Sequence, residues 1–173
     1  MPIINNIPDE MITEHINWHT RPGNPQGGGR KINPWPPGRI TAAPGSGEEF
    51  LVWHKGYIDR FRSWIDSLPT DQKPKVEQLS PWTEISPGLK MGMVGWGETQ
   101  AVHEARLRDM NSFGTLDELG RFLEWGLHGW LHNACASMFD EPVLLGFRSP
   151  RVTYFWQIHG LIDHWRQKWE DAQ

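Results

Sequence analysis

Apolar side chains recur at helical spacing in four separate stretches of the chain, and each stretch predicts a helix. The first runs from about Pro8 to His19, with Pro8, Asp9 and Glu10 suited to an opening turn. The second begins at a capping box, Ser46 and Glu49, and carries Phe50, His54, Tyr57, Ile58, Phe61, Ile65 and Leu68 on one face before Pro69 stops it. A second capping box, Thr115 and Glu118, opens a third helix to about Met138. That helix is apolar nearly all round and is expected to be central. The fourth starts with Ser149 as N-cap and Pro150 at the first helical position, then places Val152, Phe155, Trp156, His159, Ile162 and Trp169 at helical intervals. Between the first two helices, Arg21 to Gly47 reads as a long irregular loop containing Gly27-Gly28-Gly29 and Pro34-Trp35-Pro36-Pro37. Residues 70–114 read as irregular, with a short helix around Thr99 to Asp109. There is no repeat and no strand-like alternation. The expectation is a mainly α fold, a four-helix arrangement with long irregular loops, over residues 1–173 as a single domain.

Composition narrows the setting. A net charge of −4 with scattered basic residues favours neither nucleic acid nor an anionic membrane as a partner. Met1 to Glu10 lacks the pattern of a signal peptide, and no stretch approaches the roughly 20 apolar residues that span a bilayer. Cys135, the single cysteine, has no internal partner for a disulfide, so a cytoplasmic location and a free buried thiol are expected. Two residue types are in excess, 11 Trp and 8 His. Trp53, Trp125, Trp130 and Trp156 are placed to pack the core or to line a pocket.

Position, rather than number, makes the histidines informative. His15 and His19 are an i, i+4 pair, and so are His128 and His132, so each pair lies on one helix face within reach of one metal ion. His54 and His159 sit on the apolar stripes of two other helices. A natural division assigns His15, His19 and His54 to one ion and His128, His132 and His159 to a second. An all-imidazole environment suits copper, zinc, iron or nickel. Neither pair reads H-E-x-x-H, which disfavours zinc peptidase chemistry. The Glu-x-x-His motifs of a carboxylate-bridged di-iron bundle are a poor match too, leaving copper favoured.

Three segments resemble the tyrosinase, catechol oxidase and molluscan haemocyanin family of dinuclear (type 3) copper proteins. Phe50-Leu51-Val52-Trp53-His54-Lys55-Gly56-Tyr57 resembles the family's F-L-P-W-H-R-x-Y, which carries a ligand of the first copper. Leu127-His128 to His132 resembles L-H-x-x-x-H, which carries two ligands of the second, and Glu124 fits the pattern preceding it. Ser149-Pro150, Phe155-Trp156, His159, Ile162-Asp163 and Trp169 resemble S-P-x-x-x-x-F-W-x-x-H-x-x-(I/V)-D-x-x-x-x-x-W, whose histidine completes that set. Together these cover roughly half of the chain.

The chain also departs from the pattern. Gly45 occupies the position of a further first-copper ligand, and no histidine lies between Thr20 and Trp53. His15 and His19 are inferred to supply the two missing ligands. The alternatives are one of them with His103, or an incomplete first site. Ile158 replaces a histidine common before the last ligand, and Gly129 stands where hydroxylating members often carry Asn, which favours catechol or aminophenol oxidation over monophenol hydroxylation. The chain is shorter than typical members, without room for their lid domain.

The resemblance implies a four-helix bundle around two copper ions that activate O₂ and oxidise phenols, catechols or o-aminophenols. It implies a small aromatic substrate, O₂ and a copper-delivery protein as partners. Trp35, Gly129 and Asn133 are candidate substrate contacts, and Asp163 is a candidate hydrogen-bond acceptor that orients a ligand imidazole. His164 is expected to be a surface charge site. The competing readings are a non-catalytic O₂ or copper carrier and a degenerate relative that keeps only the second copper site.

Overall fold

In the computed structural model, residues 3–20, 43–73, 76–92 and 94–173 are described, with backbone alone for 76–77. Trp35 and most of the predicted loop lie outside the described residues. The fold is mainly α. Among the described residues there is no strand, only an isolated bridge between Ile3 and Val152.

The first helix, α1, spans Asp9–Thr20, with Asp9 and Glu10 in the first turn, where the helix dipole favours them. The chain before it is anchored on the C-terminal third. Ile4 N–H donates to the Arg151 carbonyl at 2.7 Å, and Arg151 pairs with Asp9 at 2.5 Å. The Tyr57 hydroxyl donates to the Met11 carbonyl at 2.8 Å, pinning α1 to the next long helix.

That helix, α2, spans Ser46–Ser67. It starts one residue earlier than the capping-box reading requires, with Gly45 at the N-cap in the left-handed region (φ 85°), so Ser46 caps nothing. The cap comes from another element. Asp117 Oδ1 accepts from Gly47 N–H at 2.9 Å and from Glu48 N–H at 3.4 Å. Although desolvation opposes it, the Asp117 carboxyl is held below its usual range by these backbone donors and by Arg121.

Three short helices follow, α3 (Val76–Leu79), α4 (Pro87–Met91) and α5 (Glu98–Arg106). The last lies close to the short helix expected at Thr99 to Asp109. Next, α6 (Leu116–Leu123) runs through a π turn at Glu124–His128 into α7 (Gly129–Met138), matching the predicted third helix in extent. The Thr115 hydroxyl accepts from Glu118 N–H at 3.1 Å, but the Glu118 carboxylate turns to Gly114 N–H, so the capping box is half made.

Leu119, Leu123, Leu127 and Leu131 are all fully buried along this rod. On a regular α-helix each four-residue step overshoots a full turn by about 40°. The wider π turn takes back part of that drift and keeps the leucines on one face. α6 packs on α2 at closest approach through Gly47 and Gly120, where a Cβ on Gly120 would stand 2.0 Å from the Gly47 carbonyl oxygen.

The last helix, α8, spans Thr153–Asp171. Ser149 and Pro150, expected as its cap and first residue, form a separate 3₁₀ turn at Ser149–Arg151, and Val152 precedes the helix in extended conformation. The extended residue is the partner of Ile3, so the tie to the N-terminus is what delays the helix. Among the described residues, no helix is long and apolar enough to cross a membrane.

Candidate metal centre

All six histidines singled out by spacing converge. His15, His19 and His54 each offer a ring nitrogen within 4.8 Å of the other two, and His128, His132 and His159 do the same. The two triads abut: the rings of His54 and His159 stack at 4.7 Å between centroids, and His54 lies 6.2 Å from His128. α1 and α2 supply the first triad, and the α6–α7 rod and α8 the second. Of the ligand sets open for the first triad, His15 and His19 with His54 are the residues brought together, whereas His103 packs against Phe122 at 4.9 Å and joins neither group.

Backbone carbonyls orient four of the rings. His15 Nδ1–H donates to the Phe147 carbonyl at 2.7 Å and His132 Nδ1–H to Leu144 at 2.9 Å. His54 and His159 donate to the carbonyls one turn back in their own helices, Phe50 at 2.8 Å and Phe155 at 2.9 Å. A carbonyl only accepts, so each of these imidazoles carries its proton on Nδ1 and turns a lone pair outward at Nε2. The lone pairs of His15 and His159 face the Nε2 atoms of His19 and His128. Nε2 of His15 is 3.2 Å from Nε2 of His19, and Nε2 of His128 is 3.2 Å from Nε2 of His159.

Burial keeps five of the six neutral. It pushes His15 down to about 3, against the Phe147 carbonyl, and His132 down to about 4, against the Leu144 carbonyl. His19, His128 and His159 are also driven well below the ordinary imidazole range, by burial first and neighbouring imidazoles second.

This donor set fits a metal ion. His132 is the sharpest test: its Nε2 is buried with no hydrogen-bond partner although its Nδ1 proton is already placed. A buried acceptor without a donor costs about 1–3 kcal/mol, and a cation removes that cost. Three neutral imidazoles per group are the ligands expected of a borderline transition metal.

A cleft of about 200 Å³ opens onto four of these histidines, with Gly129, Asn133 and Phe147 in its wall. Within that wall Asn133 donates to the Gly129 carbonyl at 2.8 Å. Glu124 lines the same cleft. Its Oε2 is buried without a hydrogen-bond partner, and burial raises the carboxyl to about 7.

Asp163 is a correction: it accepts from Arg166 Nε at 2.7 Å, while the His159 proton it was expected to take goes to Phe155. Arg166 is itself buried, which draws both Asp163 and Glu170 to it. Cys135 is a buried free thiol, raised to about 12 by desolvation. Trp125 is 61% exposed, and Trp130 bonds the Val94 and Gly95 carbonyls away from the histidines.

The turn at Gly146–Ser149 has no counterpart among the residues singled out by sequence. Phe147 stacks on His19 at 4.5 Å and 10° and lends its carbonyl to His15. A carbonyl has no residue-type signature, so no sequence signal marks it. No family model, curated protein or solved structure matches the chain.

Proposed function

We propose that this chain is a cytoplasmic copper oxidase that binds one copper ion at each histidine triad and oxidises small phenols, catechols or o-aminophenols with O₂. The observation that carries the reading is the pairing of two all-imidazole triads side by side in the interior, open to one small cleft. The helices bearing the six histidines are read as one four-helix bundle around that pair. His15, His19 and His54 hold one ion, and His128, His132 and His159 the other. Copper, when bound, supplies the electron transfer between the phenol and O₂ that no side chain here provides.

The chain contributes position and proton handling. The cleft is at the small end of ligand sites, which selects a single ring. Asn133 and the open face of Gly129 leave room for that ring beside His128 and His132; a Cβ on Gly129 would touch nothing within 4 Å. Glu124 Oε2 takes the proton of a docked phenol hydroxyl, since a buried carboxyl near 7 exchanges a proton at neutral pH.

Elemental analysis after copper loading is expected to give two ions per chain, and catechol is then expected to drive oxygen uptake. One ion per chain, lost on His132→Ala but not on His15→Ala, would leave only the second site and sink the paired-ion reading. Two ions with reversible O₂ binding and no catechol turnover would make the protein a carrier.

A further inference from the structure

The two triads have different surroundings. Phenylalanines touch both, Phe50 lying 4.6 Å from His54 and 5.0 Å from His128, and Phe155 5.0 Å from His15 and 3.9 Å from His159, but they are the only carbocyclic aromatic rings on the second among the described residues. Among the described residues, every tryptophan or tyrosine ring in contact with a triad histidine touches the first triad instead. Trp18 lies 4.8 Å from both His19 and His54, Trp53 lies 4.8 Å from His54, and Tyr57 stacks on His15 at 5.8 Å.

Those rings continue outward as one stack. Trp18 and Trp53 stack at 4.8 Å, Trp53 and Tyr57 at 5.0 Å, and Tyr57 and Trp156 at 5.2 Å, all within 25° of parallel. Trp156 then lies flat on Phe61 at 3.5 Å and 5°. Both line a second cleft, of about 400 Å³, bordered by Arg62, Lys73 and Pro81 and remote from the histidine cleft. Indole and phenol are the aromatic side chains most readily oxidised by one electron, whereas the phenyl rings around the second triad are inert to such a step. Simple core packing requires no such segregation.

We infer that Trp53, Tyr57 and Trp156 form a one-electron relay that drains oxidising equivalents from the first histidine triad to the Trp156 cleft. The relay rests on the proposed copper chemistry, which brings a strong oxidant next to six oxidisable imidazoles. When O₂ or hydrogen peroxide leaves an oxidant at the first triad with no substrate in the cleft, Trp53 gives it one electron. Trp156 refills Trp53, and a thiol- or ascorbate-class reductant at the outer cleft refills Trp156 and is itself oxidised by one electron. Within the protein no bond forms or breaks, and the reductant releases its own proton to solvent. The indoles keep their protons; Trp156 Nε1–H stays donated to the Pro150 carbonyl at 2.9 Å. Tyr57 serves as the bridge between them, because its hydroxyl donates to a carbonyl, which is no base for the proton a tyrosyl radical must lose.

The test challenges the copper-loaded full chain with hydrogen peroxide, without phenol or other reductant, and maps oxidation by peptide mass spectrometry. In the wild type, hydroxylated tryptophan is expected at Trp156, with the triad histidines largely intact. Trp156→Phe is expected to raise oxidised histidine at His15, His19 and His54 several-fold, while Trp130→Phe, outside the stack, leaves it unchanged. Trp53→Phe keeps the test alive should Trp156→Phe fail to fold, and is expected to remove the adduct from Trp156. Adding ascorbate is expected to suppress the Trp156 adduct in the wild type. Copper uptake with histidine oxidation equal in the wild type and both variants overturns the relay alone. Failure to take up copper overturns the relay together with the function it rests on.

Discussion

Glu124 shows how burial sets the chemistry of one side chain. Its Oε2 has no partner, and desolvation alone moves the carboxyl to about 7. Glu124→Gln keeps the shape and removes the proton acceptor. The variant is expected to take up the full complement of copper yet to turn over phenols roughly 10²-fold more slowly, the scale of a lost general base. Steady-state oxygen uptake beside metal analysis checks this, and unchanged turnover would remove Glu124 from the proton path. Asp163 teaches the converse. It stands one turn from His159 in the sequence, but the buried Arg166 guanidinium competes for it and wins, since an unpaired buried cation costs more than a ligand proton handed to a carbonyl.

At the scale of elements, closest approach decides the frame. α2 and α6 meet backbone to backbone at Gly47 and Gly120, and Asp117 beside that contact caps α2. The same contact positions His54 against the rod that carries His128 and His132. Gly120→Ala forces a methyl into the Gly47 carbonyl and is expected to lower Tm by roughly 5–10 °C, from an overpacking cost of about 1–3 kcal/mol. Gly129→Ala, with open space at its Cβ, is expected to leave Tm unchanged or raised slightly, since alanine is the better helix former. Thermal melts of the two variants side by side test the contact, and equal Tm values would show that the helices part easily. The long helices were legible from apolar spacing, but α3 and α4, too short to show a period, fall in a stretch read as irregular, and two helix starts were not legible either. Ser46 and Ser149 carry the right side chains for caps, yet Asp117 from another helix and the pairing of Ile3 with Val152 displace them. The π turn at Glu124–His128 was equally illegible, because the leucine pattern through it reads as ordinary helix.

At the scale of the molecule, five imidazoles held neutral by burial in one interior make the metal-free fold sensitive to acid. A folded-state pKa of about 3 for His15 and about 4 for His132 lies below the ordinary 6.5, so the unfolded chain takes up protons first as pH falls. The corresponding stability is fully present above about pH 6.5 and is lost on descending toward 4 and then 3. Each such histidine contributes a slope of up to about 1.4 kcal/mol per pH unit in that window. Denaturant melts of chelator-treated protein at pH 7 and pH 5 are expected to show a marked loss at the lower pH. Copper at 100 times its Kd is expected to add about 2.7 kcal/mol per bound ion at neutral pH. A metal-free melt that is flat between pH 7 and 5 would mean the histidines are solvated rather than buried.

By itself the chain determined the helical class and the six candidate ligands, since i, i+4 spacing and apolar stripes are local properties written directly in residue order. It also determined that any third ligand of the first group had to come from outside the segment between Thr20 and Trp53. Only the tertiary structure decided that His15 and His19 meet His54, that carbonyls of Phe147 and Leu144 set two of the tautomers, and that oxidisable rings gather around one triad alone. Those facts depend on which backbone approaches which ring across the fold, and neither a carbonyl oxygen nor a through-space ring contact leaves a trace in the order of residues.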